Sequence, residues 1–284
     1  IEIYRETGHL PTHNFRDGEF SGAKEISAYR LADTYRVRME GCYACPVRCK
    51  KVVQASEPWN VDPKYGGPEY ETLAALGSNV GISDLATICK ANELCQKYTL
   101  DTISTGASIA FAMECYEKGL ITEVDAEGMT LTWGNGKAVI ELIEKIARRH
   151  GIGDILAEGV NRAAEKIGKD AEDFAVHVKG QEVPMHEPRL KRSLGLGYMV
   201  SPTGADHMHN FHDTGVLDPP DYGNLKGLGL LEKPLVEDLG PKKVRMFIYF
   251  VNWRVLDNCM GMCNFVPWTF RQKEDIVRAV TGWN

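Results

Sequence analysis

The sequence predicts a mainly α-helical, multihelical protein. Segments with apolar residues at the three- and four-residue spacing of amphipathic helices recur along most of its length. The six clearest are residues 84–98, 102–118, 137–150, 154–167, 242–257 and 271–280. By contrast, only residues 174–178 show the alternation typical of a half-buried strand. The chain has 284 residues, enough to bury one large core or two smaller ones.

Before residue 84 the chain is predicted to be largely irregular. Residues 8–41 are polar and turn-rich, with one helix expected at 23–37. Residues 57–68 are dense in proline and glycine, which predicts a loop. A short helix is expected at 70–78, directly after this loop.

The helix boundaries have local chemical signals. Ser83 or Asp84 can cap the helix that follows, and Asp101 or Thr102 can begin the next one, because short oxygen-bearing side chains accept from free N–H groups. Gly168 is a plausible stop for the helix at 154–167. Residues 180–215 are rich in Gly, Pro and His and are predicted to be a long functional loop. We place a domain boundary between residues 1–175 and 176–284.

Composition excludes several functional classes. The net charge is −6, from 33 basic and 39 acidic residues, whereas a nucleic-acid binder would present a strongly basic face. No run of 18 apolar residues is present, so no membrane span is predicted. The N-terminus lacks the layout of a secretory signal, and a cytoplasmic location is expected.

Three of the eight cysteines form a cluster. Cys42, Cys45 and Cys49 are spaced C-x2-C-x3-C, so the chain can fold back and present several thiolates to one inorganic centre. A fourth ligand has to come from elsewhere, and Cys259 and Cys263 are the candidates. We interpret the set as an iron–sulfur site. A structural zinc site and unrelated core thiols are the alternatives.

The remaining three cysteines differ from this cluster. Cys89, Cys95 and Cys115 lie inside predicted helices and have no partner at a ligand-like spacing. Free cysteine commonly behaves as a small buried hydrophobe. We therefore predict that these three are core thiols.

A set of ordered motifs along nearly the whole chain resembles the tungsten-containing aldehyde:ferredoxin oxidoreductase family. No single motif is decisive, but the order is specific. The motifs are Cys42-x2-Cys45-x3-Cys49, Gly67-Pro-Glu-Tyr-Glu-Thr72, Asp101-Thr-Ile-Ser-Thr-Gly106, Pro184-Met-His-Glu-Pro-Arg189, Gly195-Leu-Gly-Tyr198, Gly204-Ala-Asp-His207 and Asp257-Asn-Cys-Met-Gly-Met-Cys263.

The resemblance implies a fold and a reaction. In that family two all-helical domains carry a [4Fe–4S] cluster and a bis-pterin tungsten (or molybdenum) centre, above a β-rich N-terminal domain that this chain does not resemble. The chain is therefore interpreted as a fragment covering the helical part. The implied function is oxidation of an aldehyde to a carboxylic acid, with electrons passing through the cluster to ferredoxin.

Two other functions stay open at this point. One is the metal subunit of a class II benzoyl-CoA reductase-like enzyme, which the same architecture resembles. The other, of a different class, is a non-catalytic helical zinc-binding interaction module. The oligomeric state is also open, with a homodimer as the form considered.

The resemblance assigns the metal and pterin contacts residue by residue. It implies Cys42, Cys45, Cys49 and Cys263 as cluster ligands, with Cys259 as the second candidate for the fourth. It implies that Asp101, Ser104 and Gly106 form the first pterin turn, although Asp101 could equally be only a helix cap. For the second turn the family has an Asp five residues before the last cysteine. Here that position is Asn258, and Asp257 lies one earlier. A one-residue shift that brings Asp257 to the pterin is favoured, and Asn258, with a weaker neutral hydrogen bond, is the alternative.

The resemblance also implies catalytic residues. Glu69, after a Gly-Gly-Pro backbone, is expected near the metal as a general base, and Glu71 two residues later is easily confused with it. His207 is expected to hydrogen-bond the substrate carbonyl or the metal oxo group. Arg189, with His186, could position the pterin phosphates or form a structural ion pair.

A short basic run adjoins the cysteine cluster. Arg48, Lys50 and Lys51 can be a solvated face, which is the usual role of such runs. On an acidic protein they can also form a local positive patch suited to an acidic carrier such as ferredoxin.

Overall fold

A computed structural model describes residues 1–216 and 235–283 of the chain. The mainly α-helical prediction is confirmed. The helices are α1 (Glu2–Glu6), α2 (Ala28–Thr34), α3 (Tyr70–Ala75), α4 (Leu85–Tyr98), α5 (Thr102–Glu117), α6 (Gly136–Arg148), α7 (Ile152–Leu156), α8 (Val160–Ile167), α9 (Arg192–Val200), α10 (Pro241–Cys259) and α11 (Phe270–Thr281). The described residues also contain four short 3-10 helices and two antiparallel strand pairs: β1 (Arg36–Glu40) with β2 (Lys50–Val53), and β3 (His177–Val178) with β4 (Gln181–Glu182).

Helix α5 runs through the main core. Every residue from 105 to 115 is buried, as expected for a helix that is enclosed on all sides. α3 crosses it closely, because Gly106 has no side chain: a β-carbon there would lie 2.5 Å from the carbonyl oxygen of Ala75. α4 is buried from Leu85 to Cys95 except at Lys90, and α6 buries one face against this centre. This packing positions α3, whose N-terminal end reaches the candidate site.

The helix starts agree with the predicted caps. Asp84 accepts hydrogen bonds from the backbone N–H groups of Ala86 and Thr87 at the start of α4. Asp101 accepts from the N–H of Ser104 at 2.7 Å at the start of α5. Both carboxylates satisfy donors that have no partner inside the helix.

The structure has two helices where the sequence predicts one. The segment expected at 154–167 breaks between α7 and α8 at Gly159, which has φ +83°. There the N–H of Val160 donates to Glu182 Oε1 at 2.8 Å, and a β-carbon at Gly159 would lie 2.7 Å from the same oxygen. The tertiary contact with Glu182 therefore overrides the continuous helical pattern.

Two further predictions needed correction, and one strand pair was not predicted. The helix expected at 23–37 is only Ala28–Thr34, and Arg36 already begins β1. The pairing of β1 with β2 across the cysteine loop was not predicted, because the two strands are short and mostly exposed. Helix α9 lies inside the segment predicted to be a loop.

The C-terminal helices have their own small apolar cluster. Phe211, Met246 and Phe247 form it, whereas the main core extends from Leu10 to Ala205. The division at residue 175 stays a prediction. Among the described residues no single helix has the length and apolar character of a membrane span. The pair Tyr70–Val80 and Leu85–Tyr98, bent by 119°, meets those criteria only when taken together.

Candidate active site

A cavity of about 600 Å³ lies where β2, the start of α3 and the histidine-rich segment meet. It collects residues that are far apart in the sequence. Its lining includes Tyr4, Cys49, Lys51, Glu69, Tyr70, Glu71, His186, His207, His212, Arg254 and Asn264. Thiol, carboxylate and imidazole groups therefore face one space.

Glu71 is the most enclosed carboxylate of this cavity. Its side chain is 15% exposed, and its Oε2 accepts from the N–H of Met185 at 2.8 Å. Oε1 is sealed from solvent and has no aligned hydrogen bond, although His186 Nε2 lies 2.9 Å away and His207 Nε2 3.7 Å away. Burial raises the pKa of Glu71, opposed by the attraction of His207, the Met185 bond and Lys191. Glu71 is thus held as a carboxyl group that can exchange a proton.

Three imidazoles stand beside this carboxylate. The ring centroids of His186 and His207 are 5.0 Å apart, and those of His186 and His212 are 4.6 Å apart. Burial, together with the nearby charges of Lys191 and His207, lowers the pKa of His186 to about 2. Burial likewise lowers the pKa of His212 to about 3. Both rings are therefore neutral near pH 7.

Glu69, the predicted base, has a different environment. Its side chain is 49% exposed and forms an ion pair with Lys51. It borders the cavity but lies at the solvent side, whereas Glu71 lies inside. His207 lines the cavity as expected, with a side chain that is 15% exposed. The position two residues beyond the predicted base therefore fits that chemistry better.

One of the predicted cluster cysteines, Cys49, lines the same cavity. Cys42, Cys45 and Cys49 occupy the loop between β1 and β2, and the N–H of Cys45 donates to the carbonyl of Cys42 at 3.0 Å. Cys49 lines the cavity, as does Asn264, the residue after Cys263. Cys263 and Cys259 are exposed. The assignment of four ligands stays a prediction, supported by this shared border.

Cys89, Cys95 and Cys115 are buried, and burial raises the pKa of each to about 12. They agree with the core role expected for them. Cys42, Cys45 and Cys49, by contrast, reach the surface or the cavity edge, where thiolates are accessible to an inorganic centre. The donor chemistry of the loop therefore fits an iron–sulfur cluster.

The first predicted pterin turn has a structural role that accounts for its residues. Asp101 caps α5 through Oδ2, and Oδ1 makes no hydrogen bond within residues 1–216 and 235–283. Ser104 donates to Glu182 Oε2 at 2.8 Å, and Gly106 allows the close contact with Ala75. Asp101 is exposed, so Oδ1 can still accept from the amino edge of a pterin. The residues fit both roles.

The two candidates for contact with the second pterin have different environments. Asp257 is buried and pairs with Lys273 Nζ at 2.5 Å, whereas Asn258 is exposed. Of the two, Asn258 has the side chain available to a ligand. Arg189 pairs with Glu187 at 2.6 Å and donates to the carbonyl of Phe15, so the structural ion pair is the arrangement found.

Comparison with known proteins defines the family. The model of aldehyde ferredoxin oxidoreductase, domains 2 and 3, matches residues 1–284, and the chain belongs to this family. Tungsten-containing aldehyde ferredoxin oxidoreductases from Thermococcus kodakarensis and Pyrococcus furiosus are 38% and 37% identical to it over 290 and 287 residues. Each match covers 100% of the chain and 45% of the relative, so the chain spans just under half the length of these proteins.

Two further similar proteins have names that refer to other reactions. The aliphatic sulfonate oxidoreductase, WOR-like subunit, of Pyrococcus furiosus is 36% identical over 204 residues, which is 69% of the chain and 32% of that protein. The active site complex BamBC of benzoyl coenzyme A reductase, solved with 1,5-dienoyl-CoA, superposes with a TM-score of 0.75. That match has 22% identity and covers 100% of the chain and 47% of the solved chain. It confirms the fold expected from the resemblance.

Sequence reasoning missed part of the site. The sequence identifies Glu71 only as a neighbour of Glu69, and it gives no reason to select Lys191 or Tyr4. Lys191 is 1% exposed, and nothing in its surrounding sequence distinguishes it from a surface lysine. Glu71 had one usable signal, since it falls in the first turn of α3 beside the buried face of that helix.

Proposed function

We propose that the complete enzyme oxidises an aldehyde to a carboxylic acid at a bis-pterin tungsten (or molybdenum) centre and passes the electrons through a [4Fe–4S] cluster to ferredoxin. The observation that supports this most is the enclosed Glu71 beside His186 and His207, in a cavity that Cys49 also borders. The relatives that span the whole chain are tungsten-containing aldehyde ferredoxin oxidoreductases by name.

Specific residues would hold the two cofactors. Cys42, Cys45, Cys49 and Cys263 would bind the cluster, and Asp101 Oδ1 would accept from one pterin. Asn258 would contact the other, in preference to Asp257, whose carboxylate is already paired. When bound, the metal supplies Lewis-acid polarisation of a carbonyl and accepts two electrons.

The side chains of the cavity would handle protons and orientation. Glu71 is proposed as the general base, because its raised pKa brings it nearer the pH at which a base works efficiently. Its Oε1, enclosed and without an aligned donor, is the oxygen that would accept the proton of the attacking water. His207 would donate to the carbonyl oxygen of the aldehyde. Tyr70 and Tyr4 also line the cavity, and their rings would restrict the space open to water.

The electron exit would lie at the cysteine loop. Arg48 and Lys50 are exposed there and would attract an acidic ferredoxin. Lys51 contributes less charge, because it is paired with Glu69. A cytoplasmic location remains part of this proposal.

The test compares two carboxylates in the complete enzyme. We expect Glu71→Gln to lower kcat for aldehyde oxidation by about 100-fold or more, the usual range for a lost general base. Glu69→Gln, the matched control two residues away, should change kcat only slightly. Tungsten and iron contents should be equal in both variants.

Other outcomes would contradict the proposal. Full activity in Glu71→Gln with loss in Glu69→Gln would return the role to Glu69. Ring reduction of an aryl thioester without aldehyde oxidation would favour the benzoyl-CoA reductase alternative. Zinc without iron or labile sulfide in the anaerobically purified protein would favour the interaction module.

A further inference from the structure

Lys191 is a buried lysine that the proposed chemistry does not use. It precedes α9 and is 1% exposed. Its Nζ lies 2.8 Å from the hydroxyl of Tyr4, 2.8 Å from His186 Nδ1 and 3.4 Å from His212 Nδ1. Three polar atoms from separate parts of the chain therefore surround one amino group.

An ammonium group can only donate hydrogen bonds. Burial lowers the pKa of Lys191 to about 8, opposed by the attraction of Glu71 and Asp213, so the group is mainly charged at pH 7. Its three N–H bonds match its three neighbours in number. Nδ1 of His186 and Nδ1 of His212 must then both be acceptors, and each neutral ring carries its proton on Nε2.

A second contact agrees with this proton placement. His212 Nε2 lies 2.8 Å from the backbone carbonyl of His207, an atom that only accepts. His212 must therefore carry hydrogen on Nε2 and present a lone pair at Nδ1, as Lys191 requires. For His186 the same arrangement places the hydrogen on Nε2, which lies 2.9 Å from Glu71 Oε1 but is not aligned for a hydrogen bond.

We propose that Lys191 is a positioning residue that fixes His186 and His212 in the Nε2–H tautomer, so that His186 presents an N–H group, and no lone pair, on the side where Glu71 lies. The role in catalysis rests on the proposed function, whereas the tautomers do not.

One consequence concerns metal ions. A carboxylate oxygen of Glu71 and ring nitrogens of His186 and His207 lie within 4.8 Å of one another, which resembles a divalent-cation site. With a proton on Nε2, His186 has no lone pair to offer there, and the ammonium of Lys191 blocks Nδ1. Lys191 therefore keeps this group available for proton and hydrogen-bond chemistry. His207 is left as the imidazole free to contact substrate.

The test reads the tautomers directly. The chain, labelled with ¹⁵N in histidine and without cofactor, is studied by long-range ¹H–¹⁵N correlation at pH 7, with His186→Gln and His212→Gln for assignment. We expect protonated Nε2 and unprotonated Nδ1 in both rings. In Lys191→Met at least one of the rings should lose this fixed pattern, whereas Lys179→Met, which removes a lysine bonded to Ser201, should not affect it.

Two results would overturn the proposal. One is an Nδ1–H tautomer of His186 or His212 in the unmodified chain, a measurement that does not depend on any variant folding. The other is an unchanged pattern for both rings in Lys191→Met. In the complete enzyme, Lys191→Met should lower kcat roughly 10–100-fold with little change in KM. If Glu71→Gln stays active while the tautomers are as expected, the proposed function fails and the role of Lys191 in orienting the rings stands.

Discussion

At the scale of single residues, environment separates groups that look equivalent in the sequence. Glu69 and Glu71 are two positions apart, yet one pairs with Lys51 in solvent and the other is enclosed among histidines. Desolvation disfavours the charged carboxylate, so the enclosed one is the better proton acceptor near neutral pH. Proximity in the sequence therefore says little about how similar the environments of two carboxylates are.

The same separation applies to the cysteines and gives a prediction. In the complete enzyme, Cys45→Ser should lose most of the iron and labile sulfide, because an alcohol replaces a thiolate ligand. Cys115→Ser is the matched control: it changes a buried thiol, and iron content per folded protein should be kept. Iron and sulfide analysis after anaerobic purification checks both. Equal iron in Cys45→Ser and the unmodified enzyme would remove Cys45 from the ligand set.

The cysteine spacing alone draws attention to the cysteine loop, whereas Asp101 and His207 are named as site residues through the family resemblance. The sequence could not identify Lys191. Its role depends on Tyr4 and His186 arriving from separate segments, which no local pattern encodes. Asp101 and Gly106 each have a structural role that needs no ligand. Asp101 caps α5, and Gly106 leaves room for the close approach of α3.

At the scale of elements, a buried ion pair joins α10 to α11. Asp257 and Lys273 are 5% and 7% exposed and lie 2.5 Å apart. Lys273 also lies 4.5 Å from the ring centroid of Trp253. Such a pair is costly to break from one side, because the remaining charge stays buried without a partner.

We therefore expect Asp257→Leu to lower the free energy of unfolding by roughly 3–5 kcal/mol. The double variant Asp257→Leu with Lys273→Met should recover most of that loss, since no charge is left uncompensated. Urea unfolding of the single and double variants checks this. A double variant no more stable than Asp257→Leu alone would show that the pair does not act as a unit.

Elements were predictable where a periodic pattern was long and free of competing contacts, as in α4, α5 and α6. Prediction failed where a distant group decided the outcome. Glu182 divides α7 from α8, and the pairing of β1 with β2 depends on two short strands meeting across the cysteine loop. Helix α9 is short and contains two glycines, which made a loop the reasonable expectation.

At the scale of the whole molecule, the histidines make stability depend on pH. His186 and His212 have folded pKa values of about 2 and about 3, against 6.5 as the ordinary value. Below pH 6.5 these two imidazoles are protonated in the unfolded chain but stay neutral in the folded chain. The free energy of unfolding therefore falls as the pH falls. Glu71 acts in the opposite sense, because its raised pKa lets the folded state keep a proton above the ordinary range.

His212→Gln isolates one of these contributions. Between pH 6 and 4.5 the free energy of unfolding should fall by about 1.4 kcal/mol more per pH unit in the unmodified chain than in the variant. The reason is that the variant lacks one imidazole that is protonated only in the unfolded state. His150→Gln, at an exposed position, is the control and should keep the slope of the unmodified chain. Urea midpoints measured across this range check the difference. Parallel pH profiles for His212→Gln and the unmodified chain would contradict the buried neutral ring.

The wall of the cavity also constrains how the protein is made. Tyr4, from the first helix, lines the cavity and accepts a hydrogen bond from Lys191. Asn264, near the end of the chain, lines the same cavity. Bringing together segments separated by some two hundred residues carries a loop-closure cost that is recovered only when the intervening core has condensed. A growing chain therefore displays the thiols of the cysteine loop long before any enclosed space exists beside them. We therefore expect the proposed inorganic centres to be inserted after folding and not to guide it.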